Sequence, residues 1–145
     1  MTGEAPKESW VISILKYFAH GVLFSVLATV FIFVAAEFLA LLATLGAGGI
    51  LLAIAALYIV PIVLGAANCV ITEFLWFPVK FSWLSTWLHG ILMFLALIVV
   101  NLIALMPFSV LPLTAAIILS LITGAFIDGY LAKQIAELWK KEKKE

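Results

Sequence analysis

Residues 73–90 read EFLWFPVKFSWLSTWLHG and separate two long apolar halves of the chain. This stretch holds three of the five tryptophans, together with His89 and the only lysine between Lys16 and Lys133. Indole rings and lysines concentrate where a lipid bilayer meets water. The pattern therefore predicts a loop that joins two pairs of membrane-spanning helices.

The composition agrees with a chain surrounded by lipid. Of its 145 residues, 66% are hydrophobic and only 11% are charged. A soluble domain is nearer half apolar and a quarter charged, and a domain of this size cannot bury such an excess in one core. We expect the lipid bilayer to be its main partner and the cell membrane to be its location. Arginine is absent and the lysine-rich tail is interleaved with glutamates, so we expect no nucleic-acid partner.

Four apolar segments are as long as the roughly 20 residues that a spanning helix needs. We predict an all-α integral membrane protein, a single membrane domain over residues 1–145, with its four transmembrane helices paired as two helical hairpins. Pro61 lies inside the second span, where an interior proline should kink the helix. The predicted segments are helix 1 at about 10–45, helix 2 at about 50–72, a cytoplasmic loop at 73–83, helix 3 at about 84–106, helix 4 at about 113–132 and a helical tail at 133–145.

The lysines predict the orientation of the chain. All eight basic residues lie near the N-terminus, in the central loop or in the tail, and the two other connections carry none. Positive charge is retained on the cytoplasmic side of a membrane, which predicts that both termini are cytoplasmic. These residues are Lys7, Lys16, Lys80, Lys133, Lys140, Lys141, Lys143 and Lys144.

The two halves also show a faint internal similarity. At an offset of 69 residues, His20-Gly21 aligns with His89-Gly90, and each pair lies near the start of an odd-numbered helix. This agreement predicts a tandem repeat of one hairpin, with both copies in the same orientation. The alternative is chance agreement between segments that are rich in leucine, valine and alanine.

His20 and His89 are the candidate cofactor ligands. Two imidazoles at similar depth in a bundle could ligate a b-type haem or share a metal ion. The alternative is that each ring hydrogen-bonds a carbonyl group or a lipid headgroup. No separate metal-binding motif is present, and Cys69 alone is expected to be a small buried residue.

Five further polar residues lie within or beside the predicted spans. An ionisable group at the centre of a span costs roughly 2.5–3.5 kcal/mol on insertion scales, so such groups tend to face an interior or a cavity. Asn68 and Asp128 could join the histidines in a polar cluster that binds a proton or a cation. The alternative, which the closeness of these residues to the membrane boundary favours, is that Asp128 and Glu73 are solvated at the interface. Asn101 is expected to be a packing contact between helices. The complete set is Glu37, Asn68, Glu73, Asn101 and Asp128.

These features favour a small non-enzymatic membrane protein, because the chain has no phosphate loop, zinc motif or nucleophile elbow and hence no predicted catalytic residue. We expect an oligomeric transporter or channel-like protein, or a small subunit of a larger membrane complex. The first alternative is a redox or metal-binding subunit with haem b on His20 and His89. The second is an enzyme acting on lipid headgroups at the cytoplasmic face, with Glu73, His89 and Asp128 as acid–base groups.

Overall fold

The computed structural model describes residues 7–142, and every regular element within them is helical. Four helical stretches, with α2 and α3 taken together as one, are long and apolar enough to cross a membrane. The predicted all-helical membrane architecture is confirmed at this level. The elements are α1 (Trp10–Ala43), α2 (Ala47–Leu57), α3 (Ile59–Leu75), α4 (Trp83–Leu105), a short 3-10 turn (Met106–Phe108) and α5 (Leu113–Glu142).

The helices differ from the predicted segments mainly at their ends. The second span begins earlier, within the glycine cluster, and α3 continues to Leu75, so the loop between α3 and α4 is shorter than predicted. The predicted tail is continuous with the fourth span up to Glu142, because its lysines, glutamates and leucine are good helix formers. The predictions for residues 1–6 and 143–145 lie outside the described residues.

Span 2 is interrupted at Tyr58, one turn before Pro61. Proline has no backbone N–H and its ring collides with the carbonyl group four residues earlier, which here belongs to Leu57. The helix tightens at this point, and the backbone N–H of Tyr58 donates to the carbonyl oxygen of Ala55, three residues back, at 3.2 Å. The interruption lies where the sequence predicts a kink.

Two glycines allow the helices to cross in close contact. A Cβ atom at Gly21 would lie 1.5 Å from the carbonyl oxygen of Ala125, where α1 meets α5. A Cβ atom at Gly90 would lie 1.5 Å from the carbonyl oxygen of Pro61, where α4 meets α3. Small residues permit such backbone contact in membrane helices. Further packing of α4 on α5 and of α1 on α3 closes the ring of four helices.

The end of the bundle that carries the turn between α1 and α2 is less closed. The helix α2 packs on α1 and α3, and within residues 7–142 it makes no substantial packing contact with α4 or α5. Gly46, at a φ of 73°, forms the turn before α2, and Gly49 then brings α2 against the carbonyl oxygen of Leu42 in α1. The α2 part of span 2 therefore runs along α1 and does not pack against α4.

Candidate functional site

A chain of three buried polar side chains connects α1, α3 and α4. His20 Nε2 lies 2.7 Å from Asn68 Oδ1, and Asn68 Nδ2 lies 2.8 Å from His89 Nε2. The three residues are only 0%, 0% and 2% exposed. An amide oxygen only accepts and an amide nitrogen only donates. His20 Nε2–H therefore donates to Asn68, whose N–H donates to the bare Nε2 of His89.

The series of hydrogen-bonded side chains continues beyond His89. Because Nε2 of His89 accepts, the proton of the neutral ring is on Nδ1, which lies 3.5 Å from the Sγ atom of Cys69. Thr72 Oγ1 donates to the backbone carbonyl oxygen of Asn68 at 2.7 Å and fixes that turn of α3. At the other end, His20 Nδ1 is buried and has no hydrogen-bond partner among residues 7–142.

A second polar group is centred on Asp128 in α5. Its carboxylate oxygen Oδ2 accepts a hydrogen bond of 3.3 Å from Ser25 Oγ of α1, and the side chain of Asn101 in α4 lies next to it. Asp128 is 2% exposed, and within the described residues its Oδ1 atom has no hydrogen-bond partner. The group therefore offers an unpartnered acceptor inside the bundle.

Each polar group borders a cavity. The first, of about 490 Å³, is a half-open groove between α1, α4 and α5, to whose lining Ser25, Thr29, Asn101 and Ser120 contribute polar groups. Apolar lining residues such as Val26 and Leu121 are exposed on the outer surface of the bundle. The lysine-end cavity, about 320 Å³, is reached by His89 and Cys69 and lies at the end of the bundle that carries the central loop and the start of the tail.

The structure brings together five of the seven polar candidates named from the sequence, in two groups rather than one. His20, Asn68 and His89 form the first, and Asp128 belongs to the second with Asn101. Asn101 is half-buried and donates to the carbonyl oxygen of Leu97 in its own helix.

Two predicted residues lie elsewhere, and two contributors are new. Glu37 and Glu73 have exposed side chains and belong to neither polar group. Sequence reasoning missed Ser25, although a hydroxyl five residues after His20 in an apolar helix was a usable signal. It also treated Cys69 only as a small buried residue, because the proximity of its thiol to His89 has no trace in local sequence.

The amide of Asn68 lies between the two imidazoles and occupies Nε2 of both. A haem iron or metal ion bound by those two atoms would require this amide to withdraw. Among residues 7–142 no three histidine, cysteine, aspartate or glutamate side chains converge as a metal-binding group. Haem ligation stays a prediction, and the hydrogen-bonded arrangement favours a role without it.

The described part of the chain is all-helical and has four stretches long and apolar enough to cross a membrane, which fits the class of α-helical membrane proteins. No known protein family, no curated protein and no solved structure matches the chain.

Proposed function

We propose that this protein transports a proton or a small monovalent cation across the cell membrane, with Asp128 as the binding group. The observation that carries the proposal is the buried carboxylate whose Oδ1 atom has no partner in the described part of the chain. Ionisable residues within a span are costly and typically mark ion pathways or proton relays.

The surroundings of Asp128 fit this chemistry. Ser25 adds a hydroxyl oxygen next to the carboxylate, the amide group of Asn101 lies beside it, and hydroxyl groups of Thr29 and Ser120 line the adjoining cavity. Hard cations prefer oxygen ligands, and a carboxylate can equally accept a proton.

We assign the role of a barrier to the chain of His20, Asn68 and His89. His20 lies on the same helix as Ser25 but nearer the end at which His89 lines the second cavity. An ion leaving Asp128 in that direction would have to pass the three buried side chains, which are all engaged with one another. Opening this barrier would require Asn68 to exchange hydrogen bonds.

Ion flux tests the proposal directly. Liposomes containing the protein should take up protons or sodium ions faster than protein-free liposomes, as measured with enclosed pH-sensitive and sodium-sensitive dyes. Asp128→Asn should reduce the flux to the protein-free rate, because the amide carries no charge. Glu37→Gln is the matched control, since it removes an exposed carboxylate, and it should leave the flux unchanged. Equal rates with and without protein, or full activity of Asp128→Asn, would contradict the proposal.

We also infer that both termini face the cytoplasm and that the chain consists of two related hairpins in tandem. The lysine distribution supports the first inference. The second is supported by the matching contacts of Gly21 and Gly90, which align in the sequence and each meet a backbone carbonyl group of an even-numbered span.

Cysteine labelling tests the orientation. In a Cys69→Ala background, a cysteine introduced by Gly48→Cys should react with a membrane-impermeant maleimide added to intact cells. The position is suitable because nothing lies within 4 Å of an added Cβ atom. Lys141→Cys should react only after lysis. The reverse pattern would overturn the orientation.

A further inference from the structure

The two close helix crossings match each other position by position. Where α5 crosses α1, a Cβ atom at Gly129 would lie 1.7 Å from the carbonyl oxygen of Tyr17. Where α3 crosses α4, a Cβ atom at Gly65 would lie 1.9 Å from the carbonyl oxygen of Thr86. Positions 69 residues apart therefore correspond in α1 and α4, and positions 64 residues apart correspond in α3 and α5. The same two offsets relate the residues of the other glycine contacts, which are Gly21, Ala125, Gly90 and Pro61.

Side chains at corresponding positions are also buried to the same degree. In each of the following pairs both residues are 2% exposed or less: His20 with His89, Phe24 with Met93, Leu64 with Asp128, Asn68 with Ala132, and Thr72 with Ala136. The crossing of α1 with α5 and the crossing of α4 with α3 therefore share one pattern of buried positions. Leu64 and Asp128 occupy equivalent places in this pattern.

Asp128 and Ser25 have apolar counterparts at the other crossing. Leu64 takes the place of Asp128 and belongs to the apolar core. Phe94 takes the place of Ser25, the donor to Asp128, and packs against the same core. Apolar side chains thus fill one crossing where polar side chains fill the other. Because an ionisable group within a span is costly, a carboxylate at only one of the two crossings is not explained by packing.

The described neighbours of Asp128 suit a proton better than a metal cation. A metal cation is held by several oxygen ligands at once, whereas here the hydroxyl group of Ser25 donates to the carboxylate and the amide of Asn101 lies beside it. Asp128 is also the only buried acidic residue among residues 7–141, so no second buried carboxylate is present there to share a cation. A proton needs one free oxygen atom, which Oδ1 provides, and it neutralises the carboxylate by itself.

The titratable side chains of the helices that pack on α5 are engaged elsewhere or exposed. His20 of α1 and His89 of α4 both hydrogen-bond to Asn68. Tyr17 of α1 accepts a hydrogen bond of 3.2 Å from Lys133, which also pairs with a carboxylate one turn further along α5. The carboxylates on α1 and α3 are exposed, and they belong to Glu37 and Glu73.

We propose that the ligand of Asp128 is a proton, and that only one of the two matching crossings carries such a site. This inference rests on the proposed function and names its ion. A hydronium ion gives its proton to Oδ1, where an O–H bond forms and water is left, and the proton returns to water on release. Oδ2 keeps the hydrogen bond from Ser25 in both states.

Infrared difference spectroscopy of the full-length protein in phosphatidylcholine liposomes tests the ligand without measuring transport. On acidification, the wild type should develop a carbonyl stretching band of a protonated carboxylic acid that is lost completely in Asp128→Asn. Replacing choline chloride by sodium chloride at constant pH should leave this band unchanged, because sodium does not compete for the carboxylate. Glu37→Gln is the matched control, since it removes an exposed carboxylate, and it should retain the band.

A pair of reciprocal variants tests whether the carboxylate serves the fold. Asp128→Leu should unfold at the same or a higher mole fraction of sodium dodecyl sulfate than the wild type, because Leu64 fills the equivalent place. Leu64→Asp should unfold at a lower mole fraction, because Phe94, the counterpart of Ser25, donates no hydrogen bond. If Asp128→Leu is destabilised as much as Leu64→Asp, the carboxylate holds the helices together and the assignment is wrong.

The proton assignment and the transport proposal can fail separately. A band that sodium chloride weakens would overturn the proton as the ligand and leave cation transport by Asp128 standing. Identical bands in the wild type and Asp128→Asn at every pH would also overturn it. A band that depends on Asp128 and ignores sodium, together with equal ion flux in liposomes with and without protein, would support the proton site and contradict transport.

Discussion

Gly90→Ala should lower the free energy of unfolding of the protein by about 3 kcal/mol, at the upper end of the usual cost of overpacking. The added methyl carbon would lie 1.5 Å from the carbonyl oxygen of Pro61. This oxygen belongs to the backbone, so the clash can be relieved only if α4 moves away from α3. Titration with sodium dodecyl sulfate in mixed micelles, followed by tryptophan fluorescence, measures the change.

The matched control is Gly48→Ala. Gly48 also lies in a helix, but nothing is within 4 Å of an added Cβ atom. Alanine is the better helix former by up to about 1 kcal/mol, so this variant should be as stable as the wild type or slightly more stable. Equal destabilisation by the two substitutions would show that the close crossing at Gly90 does not hold the bundle together.

Asn68→Leu should destabilise the protein by about 2 kcal/mol and loosen the contact of α3 with both α1 and α4. The substitution leaves the Nε2–H group of His20 and the bare Nε2 atom of His89 buried without partners, and each unsatisfied group costs about 1–3 kcal/mol. The membrane reduces this loss, because polar groups of the unfolded state also find partners there. The same detergent titration measures it.

A combined variant separates hydrogen bonding from packing. Asn68→Leu together with His20→Phe and His89→Phe removes all three hydrogen-bonded side chains at once. The free energy of unfolding of this triple variant should recover most of what the single variant loses. Replacing both partners of a buried hydrogen bond by apolar groups is nearly neutral when the shapes fit. If Asn68→Leu alone is as stable as the wild type, the three side chains do not hold the helices together.

Much of the architecture could be predicted because it depends on local composition. Each span is an apolar run longer than the hydrocarbon thickness. The interruption before Pro61 follows from the missing N–H of a proline, and the turn at Gly46 follows from the freedom of glycine to adopt a positive φ. The end of α3 was harder to predict, because Glu73 looks like a boundary although the helix continues to Leu75.

The candidate site was predictable only in part. The sequence singled out His20, Asn68, His89 and Asp128, because polar groups in apolar helices are rare. It raised a cluster of Asn68 with the two histidines, but it did not indicate that the Asn68 amide would bridge both imidazoles, or that Ser25 would reach Asp128 across 103 positions of the chain. Such pairings depend on how each helix is rotated about its axis, which apolar segments do not specify locally.

By itself, therefore, the sequence determined that this chain forms four apolar helices, where they turn, and which end carries the lysines. The tertiary structure alone decided which polar side chains meet, since Gly21 and Gly90 bring helix backbones into contact and thereby set the rotation of α1 and α4. The amide of Asn68 came to lie between two imidazoles as a result, and the carboxylate of Asp128 came to lie beside a cavity. The physical reason is that burial in lipid acts on every apolar residue alike, whereas close packing acts on particular pairs.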